Sequence, residues 1–236
     1  MAPTDATGLL FVYGEPSPAV SEQGFNDWYD NEHIPARTTV PGFQSLSRYK
    51  AIDGQKPSWL AIYDLESPSV AKSDAYTGLP KLASDNERDI ISRLTVLNRR
   101  IYSQISSILP PSTPSDALPG KYLLVVLLQP GEAAEDEFNR WYEEEHLKLL
   151  ALIPGYLRGR RYTLVGDHVE LAGKADASEQ RQFKYLALHE LDNNTFKETK
   201  EFIAATTTPW RNEVMKNLVA GEYRLFEQYK VFQPKL

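Results

Sequence analysis

Two histidines of this 236-residue chain each follow a glutamate in a short string rich in aromatic residues. Glu32-His33 comes after Trp28-Tyr29, and Glu145-His146 comes after Trp141-Tyr142. A buried imidazole can act as a general acid or base near neutral pH, and a neighbouring carboxylate can orient it or hold its charged form. A fold-stabilising hydrogen bond to the following turn would use the same residues, so both interpretations stay open.

Phenols and a third histidine extend this chemistry. Tyr29 and Tyr142 could donate to a carbonyl or enolate oxygen in a dry pocket, or they could be core tyrosines bonded to backbone. Tyr63 and His189 occupy matching positions on two similar apolar segments. They could be the polar groups inside an apolar barrel, which is the usual layout of a small-molecule site, or they could face the outer helices or lie at a strand end.

Two arginines, Arg48 and Arg161, precede matched tyrosines. Each could clamp a substrate carboxylate or form an ion pair with a surface acid. The predicted catalytic residues are therefore His33, His146, His189, Tyr63 and Tyr29. The predicted substrate-binding residues are Trp28, Glu32, Tyr142, Glu145, Arg48 and Arg161.

The candidate residues recur because the sequence contains a repeat. Residues 25–50 align with residues 138–163 at a constant offset without a gap, and the identical pairs include Trp28/Trp141 and His33/His146. Such long-period self-similarity indicates an internal duplication. We predict one repeat over residues 1–106, a proline-rich linker over 107–120 and a second repeat over 121–236.

The elements that must position these residues follow from periodicity and turn residues. The first repeat is predicted to contain strands at Leu9–Tyr13, Phe43–Tyr49, Trp59–Leu65 and Thr95–Ile105, and helices from Ser21 to about His33, where Pro35 ends the helix, and over Ser69–Leu82. This βαββαβ order is ferredoxin-like. The third strand is apolar on both faces, so we expect the sheet of the other repeat to cover its second face. The predicted fold is an α+β intramolecular barrel of two antiparallel sheets that can hold one small ligand.

The composition of the chain argues against several classes of binding partner and site. The net charge is −6, no dense Lys/Arg run is present, and there are no cysteines. Nucleic-acid, membrane, disulfide and thiolate-metal roles are therefore disfavoured. The histidines have no metal-ligand spacing, and nucleotide-binding and serine-hydrolase motifs are absent. Without a signal peptide a cytoplasmic protein is expected, and the terminal Pro-Lys-Leu is a weak variant of the peroxisomal Ser-Lys-Leu signal.

The string Trp28–Pro35, followed by Val40-Pro41-Gly42-Phe43, resembles the dimeric α+β barrel superfamily, and within it the tandem EthD-like domains of fungal proteins. The second repeat matches through Trp141–His146 and Ile153–Tyr156 but has Lys148 where the family pattern has proline. The resemblance covers nearly the whole chain apart from the linker. The superfamily includes isomerases, polyketide cyclases, decarboxylases, cofactor-independent monooxygenases and haem-handling proteins.

We therefore expect a cofactor-free lyase or isomerase of secondary metabolism that binds a hydrophobic, oxygenated, polyketide-like molecule. Its reaction would be acid/base chemistry such as cyclisation, dehydration, decarboxylation or isomerisation. The alternatives are a non-catalytic binding or stress-related barrel, a cofactor-independent monooxygenase and a haem-handling protein. The barrel is expected to form within one chain, and a further homodimer is allowed.

Overall fold

The computed structural model describes the backbone of residues 7–172 and 183–233 and the side chains of these ranges except 167–172. The terminal Pro-Lys-Leu and the side chain of His168 lie outside this description. Within the described residues, no helix is both long enough and apolar enough to cross a bilayer.

The chain divides into two compact units. The N-terminal unit comprises residues 7–103 with the described ends 164–172 and 229–233, and the C-terminal unit comprises Gln104–Thr163 and Phe183–Gln228. The division runs through the three longest strands, so it does not coincide with the predicted linker. The repeat boundaries themselves stay a prediction.

The two halves of the sequence run through their elements in the same order. The first half contains β1 (Gly8–Pro16), α1 (Glu22–Trp28), a π-helical segment (Tyr29–His33), α2 (Ile34–Arg37), β2 (Phe43–Ala51), β3 (Trp59–Leu65), α3 (Asp74–Thr77), α4 (Asp85–Arg93) and β4 (Leu94–Ile108), with 3-10 turns at Pro68–Lys72 and Leu79–Leu82. The second half contains β5 (Tyr122–Pro130), a 3-10 turn (Glu132–Ala134), α5 (Glu135–Trp141), a π-helical segment (Tyr142–His146), α6 (Leu147–Leu150), β6 (Tyr156–Ala172), β7 (Tyr185–Leu191), a 3-10 turn (Phe196–Glu198), α7 (Lys200–Ala205), α8 (Pro209–Lys216) and β8 (Leu218–Phe232).

Hydrogen bonding links the eight strands in the order β1-β3-β2-β8-β5-β7-β6-β4, a closed barrel. The described pairs are antiparallel, with Phe11 opposite Ile62 in the first half and Val125 opposite Leu188 in the second. The predicted α+β barrel is therefore confirmed. That the halves arose by duplication of a ferredoxin-like unit stays a prediction.

The first helical path runs further than predicted. Ser21 caps α1 as expected, because its Oγ accepts from the Gly24 N–H at 3.0 Å. Pro35 does not end the helix, which continues through Arg37. Proline has no N–H to donate, but it stands at the start of α2, directly after a wider π-helical turn in which the Ile34 N–H donates to the Tyr29 carbonyl.

Helix α4 was not predicted, although its start carries a clear signal. Ser84 is the N-cap, and its Oγ accepts from the backbone N–H of Glu87 at 3.0 Å. A serine followed three residues later by glutamate is the capping-box pattern. The predicted helix at Ser69–Leu82 is instead two 3-10 turns around the short α3, because Ser73, Gly78 and Pro80 interrupt it.

Strand β3 is buried on both faces, as the sequence predicted, and so is β7 at the same place in the second half. In the N-terminal unit, one face of β3 packs its alternate residues Trp59, Ala61 and Tyr63 into the hydrophobic cluster that contains the helical residues Phe25 and Trp28. In the C-terminal unit the equivalent residues of β7 pack against α5 and α6. Tyr63 and His189 therefore face the helices of their own units, which is the second of the two placements considered for them.

Candidate functional site

A cavity of about 430 Å³ lies in the C-terminal unit, between its helices and the helix-facing side of its strands. This volume is in the range of pockets that hold small organic molecules. The apolar part of its lining consists of Leu124, Val126, Leu128, Trp141, Leu150, Phe202 and Met215. The polar part consists of Tyr142, His146, His189, Lys197, Thr206, Arg211 and Tyr223.

His146 presents a hydrogen-bonding atom that no described residue uses. The residue is 9% exposed, its ring stacks on Trp141 with ring centroids 4.3 Å apart, and its Nδ1 has no hydrogen-bond partner among the described residues. Burial, followed by the nearby His189 and Arg211, lowers the pKa of His146 to about 3, while the Ala205 carbonyl works in the opposite direction. A buried acceptor without a partner is costly, so this atom is a candidate ligand contact.

His189 is held by a tyrosine at the back of the same cavity. Its Nδ1 lies 2.8 Å from the Tyr156 hydroxyl, and both residues are buried. Burial lowers the pKa of His189 to about 3 and raises the pKa of Tyr156 well above its ordinary value. Burial also raises the pKa of Tyr142. Both phenols therefore keep their protons and can act as hydrogen-bond donors.

These pKa values correct the expectation of an acid/base group that titrates near neutral pH. Burial disfavours the charged imidazolium, and no carboxylate lies among the lining residues of the cavity to offset it. His146 and His189 are therefore neutral at pH 7. The site is a set of neutral acceptors and phenolic donors in a mostly apolar chamber.

The glutamates that precede His33 and His146 do not orient these histidines. Glu32 accepts hydrogen bonds from Ser84 and from Asn86, and Glu145 accepts from Thr208 Oγ1 at 2.6 Å. Ser84 and Thr208 are the N-cap residues of α4 and α8. Adjacent residues point 100° apart on a helix, so each glutamate turns towards the helix cap while the histidine turns inward.

The two predicted clamp arginines are buried beside the helices and do not line the cavity. Arg48 donates to Asp30 and to Asn26, both at 2.6 Å, and its guanidinium lies 4.3 Å from the centroid of the Tyr29 ring. Arg161 makes the same set of contacts with Glu143, Asn139 and Tyr142. Each arginine has an acid partner, as one interpretation expected, but the guanidinium itself is buried.

The histidine of the N-terminal unit is already satisfied. His33 Nδ1 lies 2.7 Å from Glu87 Oε1, and Arg37 donates to the His33 carbonyl at 2.7 Å. Burial, reinforced by Arg37, lowers the pKa of His33. Tyr63 packs edge-on against Phe43, and burial raises its pKa well above the ordinary value. His33, Tyr29 and Tyr63 thus lie together in a packed core.

His33 has a carboxylate partner and His146 has none among the described residues, because the two units differ at one helix position that the sequence reasoning missed. Glu87 and Arg211 each stand three residues after the N-cap of α4 and α8, and each donates its backbone N–H to the capping hydroxyl. In the first unit this position supplies the carboxylate that binds His33. In the second it supplies a guanidinium that lines the cavity. A comparison of the two caps, Ser84 and Thr208, would have found both residues.

Within the described part of the chain, no group of three or more histidine, aspartate or glutamate side chains is arranged to hold a metal ion.

The chain is similar in sequence to a fungal protein and in structure to several solved proteins. No protein-family model matches the chain. It is 29% identical over 203 residues to "Core atranone cluster (CAC) protein 1" of Stachybotrys chlorohalonatus (strain IBT 40285), covering 81% of this chain and 86% of that protein.

Among solved structures, an anthrone oxidase-like protein superposes with a TM-score of 0.68 at 11% identity, covering 100% of this chain and 96% of that one. A chlorite dismutase variant from Candidatus Nitrospira defluvii superposes with a TM-score of 0.58 at 10% identity, covering 97% of this chain and 93% of that one. These likenesses show the dimeric α+β barrel fold.

Proposed function

We propose that the C-terminal cavity binds an apolar, oxygenated small molecule and catalyses a cofactor-free proton transfer, with His146 as the proton acceptor. Two observations carry this proposal: His146 lines a cavity of about 430 Å³, and its buried Nδ1 has no hydrogen-bond partner among the described residues. Leu124, Val126 and Trp141 supply the apolar surface for the ligand skeleton. The ligand class is an aromatic or polyketide-like ketone or phenol.

The low pKa of His146 leaves the imidazole unprotonated at pH 7, which a proton acceptor requires. At pH 7 its lone pair is fully available, whereas an exposed histidine would be partly protonated. When a C–H or O–H proton moves to Nδ1, the electron pair moves to the substrate oxygen and an enolate or phenolate forms. An anion next to the ring favours the imidazolium and raises its pKa, so charge development assists the transfer.

The phenols of the site can stabilise the negative charge that the proton transfer leaves on the substrate oxygen. Tyr142 lines the cavity, and Tyr156 lies behind His189. Because burial keeps both phenols protonated, they can stabilise a developing oxyanion by donating to it directly or through His189. In this proposal His189 is a positioning or donor residue, and His33, Tyr29 and Tyr63 stabilise the N-terminal unit.

The relatives support the ligand class and not the reaction. A relative named after the atranone cluster supports a metabolite as ligand. The paired Trp-Tyr and Glu-His strings support a tandem EthD-like protein that arose from a duplicated ferredoxin-like unit. Cyclisation, dehydration, isomerisation and cofactor-free oxygenation can each begin with the proton transfer proposed here, whereas decarboxylation would use it in reverse, to deliver a proton to carbon after CO₂ leaves.

The direct test is hydrogen–deuterium exchange at the methylene carbon of anthrone, followed by NMR in D₂O. We expect the protein to accelerate this exchange. The exchange rate with His146→Ala is expected to be about 100-fold lower than with the parent. His33→Ala serves as the matched control and is expected to stay within about threefold of the parent. Each variant is assayed below its own melting temperature. Equal rates for the parent and His146→Ala would contradict the assignment.

A non-catalytic binding protein is the second candidate, and the pKa of about 3 favours it because a weak base is a poor proton acceptor. Such a protein would bind anthrone without accelerating exchange. Binding that is lost in a cavity-filling Val126→Phe variant, together with a background exchange rate in the parent, would establish this function instead.

A further inference from the structure

The cavity of the C-terminal unit is cationic although the whole chain has a net charge of −6. Its lining includes Arg211 and Lys197 and contains no aspartate or glutamate. Across the part of the chain that the structure describes, neither cation forms an ion pair, although Lys197 lies 5.8 Å from the centroid of the Phe196 ring. Two cations without a carboxylate partner at an apolar cavity create a site for a negatively charged group.

Arg211 lies in the first turn of α8 and lines this site. Thr208 caps the helix, and its hydroxyl accepts from the Arg211 N–H at 3.1 Å, which fixes the backbone of Arg211 in the first turn. The positive charge of Arg211 lowers the pKa of His146 and opposes the rise in the pKa of Tyr142 and Tyr223. Arg211 and these three aromatic residues all line the same cavity.

The N-terminal unit shows what the opposite charge does at this position. There Glu87 occupies the same place in α4, binds His33 at 2.7 Å and lies 3.7 Å from Arg37, so the internal charges are already compensated. In the C-terminal unit, Leu150 lies where the first unit has Arg37, four residues after the histidine. The charge that Arg211 brings is therefore left for a ligand.

We propose that the ligand of the C-terminal cavity is an aromatic acid, whose carboxylate or phenolate oxygen is bound by Arg211 and Lys197 while its ring system lies against the apolar wall. This inference rests on the proposed function, because it concerns the same cavity. A guanidinium can give two parallel hydrogen bonds to a carboxylate, and such charge-assisted bonds are stronger than neutral ones. The same two cations would stabilise an enolate or phenolate formed during turnover.

The test compares 3-hydroxy-2-naphthoate with its methyl ester, which differ in one negative charge, by fluorescence titration. We expect the parent to bind the acid about tenfold more tightly than the ester. Arg211→Gln is expected to weaken the acid about tenfold and to leave the ester within about twofold of the parent. Lys197→Gln should act in the same direction with a smaller effect, because this lysine is exposed.

Arg140→Gln is the matched control, because it removes one positive charge from the same unit outside the cavity, where Arg140 pairs with Glu137. It should leave the preference for the acid unchanged, and thermal melts should show all variants folded. An acid-to-ester ratio that is the same in the parent and in Arg211→Gln, with both ligands bound, would overturn the acid inference alone. Absence of binding of both compounds to the parent would instead contradict the proposed function.

Discussion

Replacing Arg48 by methionine is expected to lower the free energy of unfolding by about 3 kcal/mol. The guanidinium is 1% exposed and donates to Asp30 and Asn26, each at 2.6 Å. It also lies between aromatic rings, 4.3 Å from the centroid of Tyr29 and 4.8 Å from that of Trp59. Methionine keeps the stem of the side chain but removes the donor to the partly buried Asp30 carboxylate and to the buried Asn26 amide oxygen. The expected cost is at the lower end for such pairs because Lys230 also contacts Asp30.

Urea unfolding of Arg48→Met and of a control, Lys50→Met, measures this effect. Lys50 lies on the same strand and pairs with Glu22, but both side chains are about half exposed. Its replacement is expected to cost less than about 1 kcal/mol. Arg48→Lys should not restore stability, because one ammonium group cannot reproduce the two hydrogen bonds that the planar guanidinium donates to Asp30 and Asn26. If Arg48→Met lowers the free energy of unfolding by less than about 1 kcal/mol, the buried contacts of Arg48 contribute no more than an exposed ion pair.

The protein is expected to lose stability on mild acidification, before most carboxylates titrate. Burial lowers the pKa of His146 and of His189 from 6.5 to about 3 in the folded state. Between these values the unfolded chain binds protons on both residues and the folded chain does not, so the free energy of unfolding falls as the pH is lowered. Each histidine contributes about 1.4 kcal/mol per pH unit, or about 2 kcal/mol at pH 5, relative to pH 7.

Urea unfolding at several pH values between 7.5 and 5 tests this sign and size. The parent is expected to lose about 4 kcal/mol over this range from the two histidines together. In the double variant His146→Gln/His189→Gln this part of the slope should vanish, whatever the absolute stability of the variant. A free energy of unfolding that is constant from pH 7.5 to 5, or that rises on acidification, would contradict the buried neutral state of these histidines.

Much of the fold could be predicted because it depends on short-range patterns. The apolar run Trp59–Leu65 predicted a strand buried on both faces, and Ser21 predicted the start of α1. The errors arose where one residue was given too much weight. Pro35 was expected to end a helix, but it lies at the start of α2, directly after a π-helical turn, and the equivalent π-helical turn of the second half forms with Lys148 in place of the proline.

The site was predicted less completely because its character depends on long-range contacts. The inward direction of His33 and His146 could be inferred from helical periodicity. Their different states could not, because these depend on Glu87 and Arg211, which are distant in sequence and lie on helices absent from the prediction. The pKa of His146 likewise depends on burial in the folded unit and on Arg211, neither of which a local pattern contains.

The central claim is that the C-terminal unit contains a ligand chamber between its helices and its strands. A crystal structure of the protein soaked with 2-naphthol tests this claim most directly. We expect electron density for the naphthalene rings among Leu124, Val126 and Trp141, with the hydroxyl oxygen within hydrogen-bonding distance of His146 Nδ1. A chamber without density at saturating 2-naphthol, or density confined to other surfaces, would contradict it.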